Sequence, residues 1–274
     1  MIPNQLAFDG DWLAYTAACW AETEGVDYLE DRLKYDVNDV VERLGLTSPT
    51  IEVAFSCPRT ENYRRQFWPL YKSHRDGQEP PALLSTAKEM LTENFPSIVQ
   101  PGLEADDILA TRIATGEWVG VAIDKDMRQV PGWHFNPRKE EGAHVQGLDD
   151  AMDFFLCQAI AGDSTDYIFG ALGRGEAWYK KNIQPLPIRE RPAAILQAYT
   201  DSLSKPGKRY VEKAELIRET MTALCGEFED FKSYARAYAL SQIRCLYLLR
   251  TEYMWENPAE NSAWTPEFLA FDYC

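Results

Sequence analysis

The residues best suited to chemistry in this sequence are carboxylates that follow short apolar runs. Six acids share this placement: Asp9, Glu104, Asp106, Asp107, Asp124 and Asp126. Because crowded carboxylates repel one another, such a group becomes stable when cations hold it. Oxygen ligands without His or Cys favour Mg²⁺ or Mn²⁺ over zinc. Two such ions about 4 Å apart can activate a water and stabilise the leaving oxygen of a phosphate ester.

The elements that must position these acids are four short strands in the first half of the chain. The runs are β-branched or aromatic, and each ends at a Gly, Pro, Asp or small-residue break. They are QLAF (5–8), IEVAF (51–55), SIVQ (97–100) and WVGVAI (118–123). Helical periodicity between them predicts a parallel sheet with helices on both faces. In such a sheet the carboxyl ends of the strands share one edge, so we expect the acids to converge there.

Local spacing refines this prediction. Asp124 and Asp126 lie two residues apart, on one face if the strand continues through them. Glu104 and Asp107 lie three apart, on one face of a helix, and Asp106 points about 100° round from Asp107. Acids at a helix start also serve as caps or dipole partners, and that alternative stays open for these three taken alone.

After residue 147 the pattern becomes helical. Periodic apolar residues predict helices around 154–160, 214–224 and 231–238. We therefore expect an α/β domain over 1–147 and a helical subdomain over 148–274, with a tail from Asn257 that crosses the surface. Asp163 and Asp166 lie three residues apart in the second half.

Composition sets limits on function and compartment. The net charge of −15 argues against nonspecific nucleic-acid binding, except at residues 59–75, where five Lys and Arg stand against one acid. No window approaches the roughly 18 apolar residues of a membrane span. The N-terminus lacks the features of a secretory signal, and the six cysteines form no C-x-x-C pair. We expect a cytoplasmic protein without a membrane partner.

Five segments carry a family resemblance: LAFDGDWLAY, NYRRQFWPLYKSHR, GLEADDILA, AIDKDMRQVPG and QAIAGDSTDYIFGALGRGEA. In this order they resemble the 5′-nuclease superfamily, most closely the short phage exonucleases without a polymerase domain. The similarity covers most of residues 6–183. It implies a PIN-like nuclease core over 1–147, a short helical arch around 60–95, and a helical DNA-binding subdomain with a helix–three-turn–helix. The implied protein lies in phage-host or bacterial cytoplasm.

The resemblance also implies an activity and a substrate. The chain would be a metal-dependent 5′→3′ exonuclease and flap endonuclease acting on duplex or flapped DNA in replication, primer removal or recombination. An RNA–DNA hybrid is a further candidate substrate. The implied cofactors are two divalent cations, Mg²⁺ or Mn²⁺, and a monovalent cation such as K⁺ at the helix–three-turn–helix.

Site residues follow from the resemblance position by position. One metal would be bound by Asp9, Glu104, Asp106 and Asp107, and the second would be bound or oriented by Asp124, Asp126, Asp163 and Asp166. Lys72 and Arg75 would reach the scissile phosphate and Tyr71 would stack on a terminal base, with a core aromatic as the alternative for Tyr71. DNA contacts would come from Arg64, Arg65, Gly170, Gly173, Gly175, Lys180 and Lys181. A solvated helix face is the alternative for the last two.

The sequence departs from the family pattern at one point. Ser56 and Cys57 follow the second strand, where many relatives place an aspartate. Asp11 could compensate, although a first-turn acid of a helix also explains it. Two other functions stay open: a haloacid-dehalogenase-type phosphatase, with Asp9 as the nucleophile of a D-x-D motif, and a branched-DNA-binding relative that does not cut.

Overall fold

The structure is a computed structural model that describes residues 1–261. Its strands are β1 (Gln5–Asp9), β2 (Thr50–Phe55), β3 (Ser97–Val99), β4 (Val119–Val121), β5 (Gly132–Phe135) and β6 (His144–Gln146). Its α-helices are α1 (Gly10–Glu24), α2 (Leu29–Arg43), α3 (Leu84–Asn94), α4 (Ala105–Ala114), α5 (Leu148–Ala161), α6 (Glu176–Asn182), α7 (Arg191–Ser204), α8 (Val211–Cys225), α9 (Phe231–Leu246) and α10 (Pro258–Asn261). Short 3₁₀ turns lie between them.

The six strands form one sheet in the order β3-β2-β1-β4-β5-β6. Strands β1 to β5 run parallel, and β6 runs antiparallel to β5. The chain leaves the central β1 towards β2 and β3 on one side and later continues at β4 on the other. This reversal is a switch point, and it opens a crevice at the carboxyl ends of β1 and β4. The predicted α/β class with a mostly parallel sheet is confirmed.

All four strands expected from apolar runs are present, but β5 and β6 escaped prediction. Their sequences, GWHF and HVQ, are short and contain His, Gln and Gly. Val145 in β6 is exposed. An edge strand of three residues with an exposed apolar side chain gives no alternating pattern that could reveal it.

Apolar side chains on both faces of the sheet hold the helices in place. On one face, Leu6 and Phe8 of β1 pack with a row of small residues on α1. These small residues, which let α1 lie close to the sheet, are Ala14, Ala17, Ala18 and Ala21. On the other face, Ala7 packs with Ile108 and Ile113 of α4. Because successive side chains of β1 point to opposite faces of the sheet, β1 contacts α1 on one face and α4 on the other.

Gly10 fixes how closely α1 approaches β2. A Cβ added there would lie 2.5 Å from atoms of both Phe55 and Val53 and 2.8 Å from the carbonyl oxygen of Ala54. No larger side chain fits without displacing the strand. Because Gly10 directly follows Asp9, this contact also fixes the position of the first predicted metal ligand.

The described contacts divide the chain into two units. The sheet unit contains 1–62, 77–151 and 248–258, and the helical unit contains 63–76, 152–247 and 259–261. This grouping differs from a single boundary near Gly147, because residues 63–76 group with the helices and 248–258 with the sheet. The tail predicted from Asn257 lies mostly outside the described residues.

The predicted arch around 60–95 contains a helix that belongs to the sheet unit. Helix α3 packs on α1, and its Ala87 and Leu91 are buried in the core under that layer. Burial of these apolar residues ties 84–94 to the sheet. Within residues 1–261, no helix combines the length and apolar character needed to cross a membrane.

We predict that Gly10→Ala destabilises the protein by about 1–3 kcal/mol, because the added methyl overpacks the contact between α1 and β2. Urea unfolding followed by circular dichroism measures this change. Gly142→Ala is the matched control, since an added Cβ there meets nothing within 4 Å. Equal stability of the two variants would refute the packing role of Gly10.

Candidate functional site

Asp9 is the centre of the candidate site in the sheet unit. It is the last residue of β1 and the N-cap of α1, and its Oδ1 accepts a hydrogen bond of 3.0 Å from the backbone N–H of Trp12. Its side chain is nine-tenths buried. Burial, and then the negative charges of Asp11 and Asp124, raise the pKa of Asp9 to about 7. The structure therefore brings three carboxylates together at the switch point.

A cavity of about 800 Å³ opens beside these acids. Asp9, Asp11 and Asp124 line it together with aromatic and basic side chains from α1 and from the segments after β4 and β5. The aromatic and basic members of the lining are Trp12, Tyr15, Lys125, Arg138 and Lys139. The guanidinium of Arg138 lies 5.9 Å from the ring centroid of Trp12. The cavity thus combines an acidic wall with exposed cations.

Asp124 and Asp126 meet through a turn, and the strand geometry expected for them is absent. Strand β4 ends at Val121, and residues Lys125–Gln129 form a 3₁₀ helix with Asp124 as its N-cap. Oδ1 of Asp124 accepts a hydrogen bond of 2.8 Å from the N–H of Asp126. The two acids are neighbours because one caps the turn that carries the other.

The acids at the start of α4 have different environments. Asp107 is fully buried, and its two carboxylate oxygens accept hydrogen bonds of 3.2 Å from the backbone N–H groups of Glu104 and Leu249. It therefore caps α4 and anchors the segment that returns at Leu248. This geometry corresponds to the capping alternative for Asp107. Glu104, the N-cap of α4, and Asp106, in its first turn, are half-buried.

The end of β2 shows what replaces the expected aspartate. The backbone N–H of Ser56 donates a hydrogen bond of 2.9 Å to Oδ2 of Asp11, and the Ser56 hydroxyl accepts one of 3.0 Å from the N–H of Ala105. Cys57 is buried, and burial followed by the charge of Glu104 raises the pKa of its thiol to about 11. Asp11 therefore stands beside the position where the resemblance expects an acid.

These residues match a metal ion in their charge and in their ligand atoms. Within residues 1–261, no three His, Cys, Asp or Glu side chains are grouped closely enough to hold an ion as they stand. However, a nearly buried Asp9 beside two further carboxylates is unfavourable unless positive charge compensates it. Oxygen donors of this kind suit hard divalent cations. The donor set at Asp9, Asp11 and Asp124 therefore fits Mg²⁺ or Mn²⁺ by charge and ligand type.

In the helical unit, the residues predicted to contact the phosphate meet at Asp166. Its Oδ2 accepts a hydrogen bond of 3.0 Å from the Tyr71 hydroxyl and lies 3.6 Å from Nζ of Lys72, while its Oδ1 lies 3.4 Å from Nη2 of Arg75. Asp163 is buried, and its Oδ1 accepts a hydrogen bond from the N–H of Thr165. Tyr71 is 2% exposed, so its ring is not open to a stacking base in this structure.

Arg64 was predicted to contact DNA, and its burial contradicts that role. It is 1% exposed, and its guanidinium donates hydrogen bonds of 2.8 and 3.2 Å to the carbonyl oxygens of Cys245 and Tyr247. These carbonyls lie at the carboxyl end of α9, where the helix leaves acceptors unpaired and favours a cation. Arg65 remains at the surface, and its Nη2 lies 2.7 Å from Asp76.

The loop between α5 and α6 occupies the place of the predicted helix–three-turn–helix. Gly170 has a φ of 63°, and a Cβ added there would lie 2.5 Å from the backbone N of Gly162. Gly170 therefore packs closely against protein backbone, and this geometry does not support a phosphate contact by Gly170. Gly173 and Gly175 are exposed. Lys180 and Lys181 are exposed as well, and Nζ of Lys180 lies 2.6 Å from Oε1 of Glu176.

Comparisons with known proteins agree with this architecture, although the chain matches no protein-family model. Over 197 residues it is 27% identical to the exodeoxyribonuclease of Enterobacteria phage T3, covering 62% of this chain and 63% of that protein. It is 26% identical over 197 residues to the exonuclease of Escherichia phage T7, covering 62% and 64%. The chain thus matches a little under two thirds of the length of these relatives.

Structural similarity extends over more of the chain. A crystal structure of the bacteriophage T5 flap endonuclease in a complex with DNA and metal ions matches with a TM-score of 0.52 at 16% identity, covering 94% of this chain and 98% of that one. The sheet with acids at its switch point is thus a PIN-like nuclease fold. The chain is therefore similar in sequence to two phage exonucleases and similar in fold to a phage flap endonuclease.

Several charged residues that lie near the acids were not predicted from the sequence. Arg138 and Lys139 follow β5, and because β5 was not predicted, no signal placed them near the acids. Lys88 of α3 forms an ion pair with Asp11 that spans 77 residues of sequence. Helical periodicity could have placed Lys88 on α3, but only the packing of α3 on α1 reveals its partner.

The raised pKa of Asp9 predicts a pH dependence of the metal-free protein. Its folded value of about 7 exceeds the ordinary value of 3.8, so the folded state binds more protons between about pH 4 and pH 7. The free energy of unfolding in chelator should therefore fall as pH rises through that window, by on the order of a few kcal/mol. Asp9→Asn should flatten this slope in urea unfolding experiments. Parallel curves for the two proteins would contradict the assignment.

Proposed function

We propose that the chain is a divalent-metal-dependent 5′→3′ exonuclease and flap endonuclease that hydrolyses phosphodiester bonds in DNA. The observation that carries the proposal is the position of Asp9, nearly buried at the sheet's switch point beside Asp11 and Asp124. Similarity to phage exonucleases over 62% of the chain supports the same reaction. The T5 flap endonuclease of the same fold was crystallised with DNA and metal ions.

The proposed ions are two Mg²⁺ or Mn²⁺. Asp9 and Asp124, with Glu104 and Asp106, are the acids we assign to them in the sheet unit. Asp107 would instead position the start of α4, because its two carboxylate oxygens accept hydrogen bonds from the backbone N–H groups of Glu104 and Leu249. When bound, such ions lower the pKa of a water and stabilise charge on the phosphate.

Further ligands complete the set proposed from the family pattern. Asp126 would help to orient Asp124, because its backbone N–H donates a hydrogen bond to Oδ1 of Asp124. Asp163 and Asp166 are proposed to contribute from the helical unit. A monovalent cation such as K⁺ is proposed at the loop between α5 and α6, together with Gly173 and Gly175.

Lys72 and Arg75 are proposed to bind the phosphate that is attacked. Positive side chains stabilise the negative charge that builds on the phosphate oxygens in the transition state. Both cations lie within 4 Å of Asp166. A phosphate would have to compete with this carboxylate for the two cations.

DNA with a free 5′ end or a 5′ flap is the proposed partner, with an RNA–DNA hybrid as a further substrate. Arg65, Lys180 and Lys181 are exposed or half-exposed cations that suit backbone contacts without base recognition. The proposed setting is phage or bacterial DNA replication, primer removal or recombination in the cytoplasm. A phosphatase with Asp9 as nucleophile gains no support from the phage relatives, which are exonucleases.

The absence of an acid at Ser56 favours one second candidate, a relative that binds branched DNA without cutting it. A cleavage assay separates the two functions. Blunt duplex and 5′-flapped duplex, labelled at either end, are incubated with Mg²⁺, with and without chelator, and product lengths are resolved. We predict products released from the 5′ end in Mg²⁺ and none in chelator.

In the same assay Asp124→Ala should lower the single-turnover rate by about a hundredfold or more, since a metal ligand contributes several kcal/mol to the transition state. Asp149→Ala removes an exposed acid at the start of α5 and serves as the charge-matched control. Binding of the flap without cleavage by the wild-type protein would establish the non-catalytic candidate instead.

A further inference from the structure

Lys88 is a cation held against the acidic site by the fold. It lies on α3, which packs on α1, and its Nζ pairs with Oδ1 of Asp11. Its ammonium also lies 5.3 Å from the ring centroid of Phe55, the last residue of β2. An aromatic face attracts a cation, so Phe55 helps to hold the ammonium at this position.

Asp11 joins four elements at the end of β2. Its Oδ1 pairs with Lys88 of α3, and its Oδ2 accepts the backbone N–H of Ser56. The Ser56 hydroxyl in turn accepts the N–H of Ala105 at the start of α4. A carboxylate borne by α1 is thereby fixed where β2 ends, at the strand position that carries no acid of its own.

The same carboxylate faces the cavity that contains Asp9 and Asp124. Its negative charge contributes to the raised pKa of Asp9, while the ammonium of Lys88 pairs with its Oδ1. The side chains of Lys88 and Asp11 are 34% and 31% exposed, so the pair is open to solvent and can be exchanged. Lys88 also lines a second cavity of about 450 Å³ beside β2 and α3, into which its side chain has room to move.

We propose that Asp11 supplies the carboxylate missing at the end of β2, and that Lys88 is an internal counter-ion that competes with a divalent cation for it. The inference rests on the proposed metal centre. While Lys88 neutralises Asp11, an incoming cation gains less from this oxygen. Metal binding therefore requires the ammonium to move, and the pair sets the affinity of the site.

Mn²⁺ binding to the DNA-free protein tests this exchange, with free Mn²⁺ measured by electron paramagnetic resonance at constant ionic strength. Lys88→Met keeps the apolar stem over Phe55 and removes the competing charge. It should tighten Mn²⁺ binding by about fivefold, the equivalent of a half-exposed ion pair. Lys88→Arg should stay within about twofold of wild type, because its charge is kept. Asp11→Asn should weaken binding, and Lys88→Met should have no further effect in that background.

Lys34→Met is the matched control, because it removes a lysine that pairs with Glu30 at 2.6 Å elsewhere in the sheet unit. Lys88→Gln is the second variant if Lys88→Met does not fold. Equal Mn²⁺ affinity of the Lys88 and Lys34 variants, in a protein that binds Mn²⁺ and cuts DNA, would overturn the counter-ion role alone. A wild-type protein that neither binds Mn²⁺ nor cuts DNA would overturn both this inference and the proposed function.

Discussion

The structure depends on the burial of a carboxylate, Asp9, among other carboxylates at the end of the central strand. Burial and the charges of Asp11 and Asp124 raise its pKa to about 7. Such an arrangement is unfavourable by itself, and the protein maintains it through the packing of α1 and β2. A hard divalent cation would turn the same repulsion into a source of binding energy. The proposed metal chemistry therefore follows from the position of these three carboxylates in the fold.

The surrounding fold explains how that charge is held. Gly10 brings α1 against β2 with no room for a side chain, and the alanines of α1 keep the helix close to the sheet. Asp107 fastens α4 to the returning segment at Leu249. In the helical unit, Arg64 donates hydrogen bonds to backbone carbonyl oxygens at the end of α9. Several charged groups of this chain thus stabilise the scaffold.

Sequence reasoning predicted the parts of the fold that local patterns specify. The apolar runs before Asp9 and Asp124 mark real strands, and the switch point brings these two acids together as the topology requires. Contacts between distant residues were not predictable. Arg64 meets a carbonyl 181 residues away, and Asp107 meets an N–H 142 residues away. Neither spacing leaves a pattern in the sequence, so a buried structural charge looks the same as a functional one.

The most direct test of the account is the location of a divalent cation in crystals of the protein soaked in Mn²⁺. Anomalous diffraction identifies the ion without reference to activity. The account predicts a peak within about 2.5 Å of carboxylate oxygens from both Asp9 and Asp124. Mn²⁺ bound only elsewhere, with these two side chains turned apart into solvent, would contradict it.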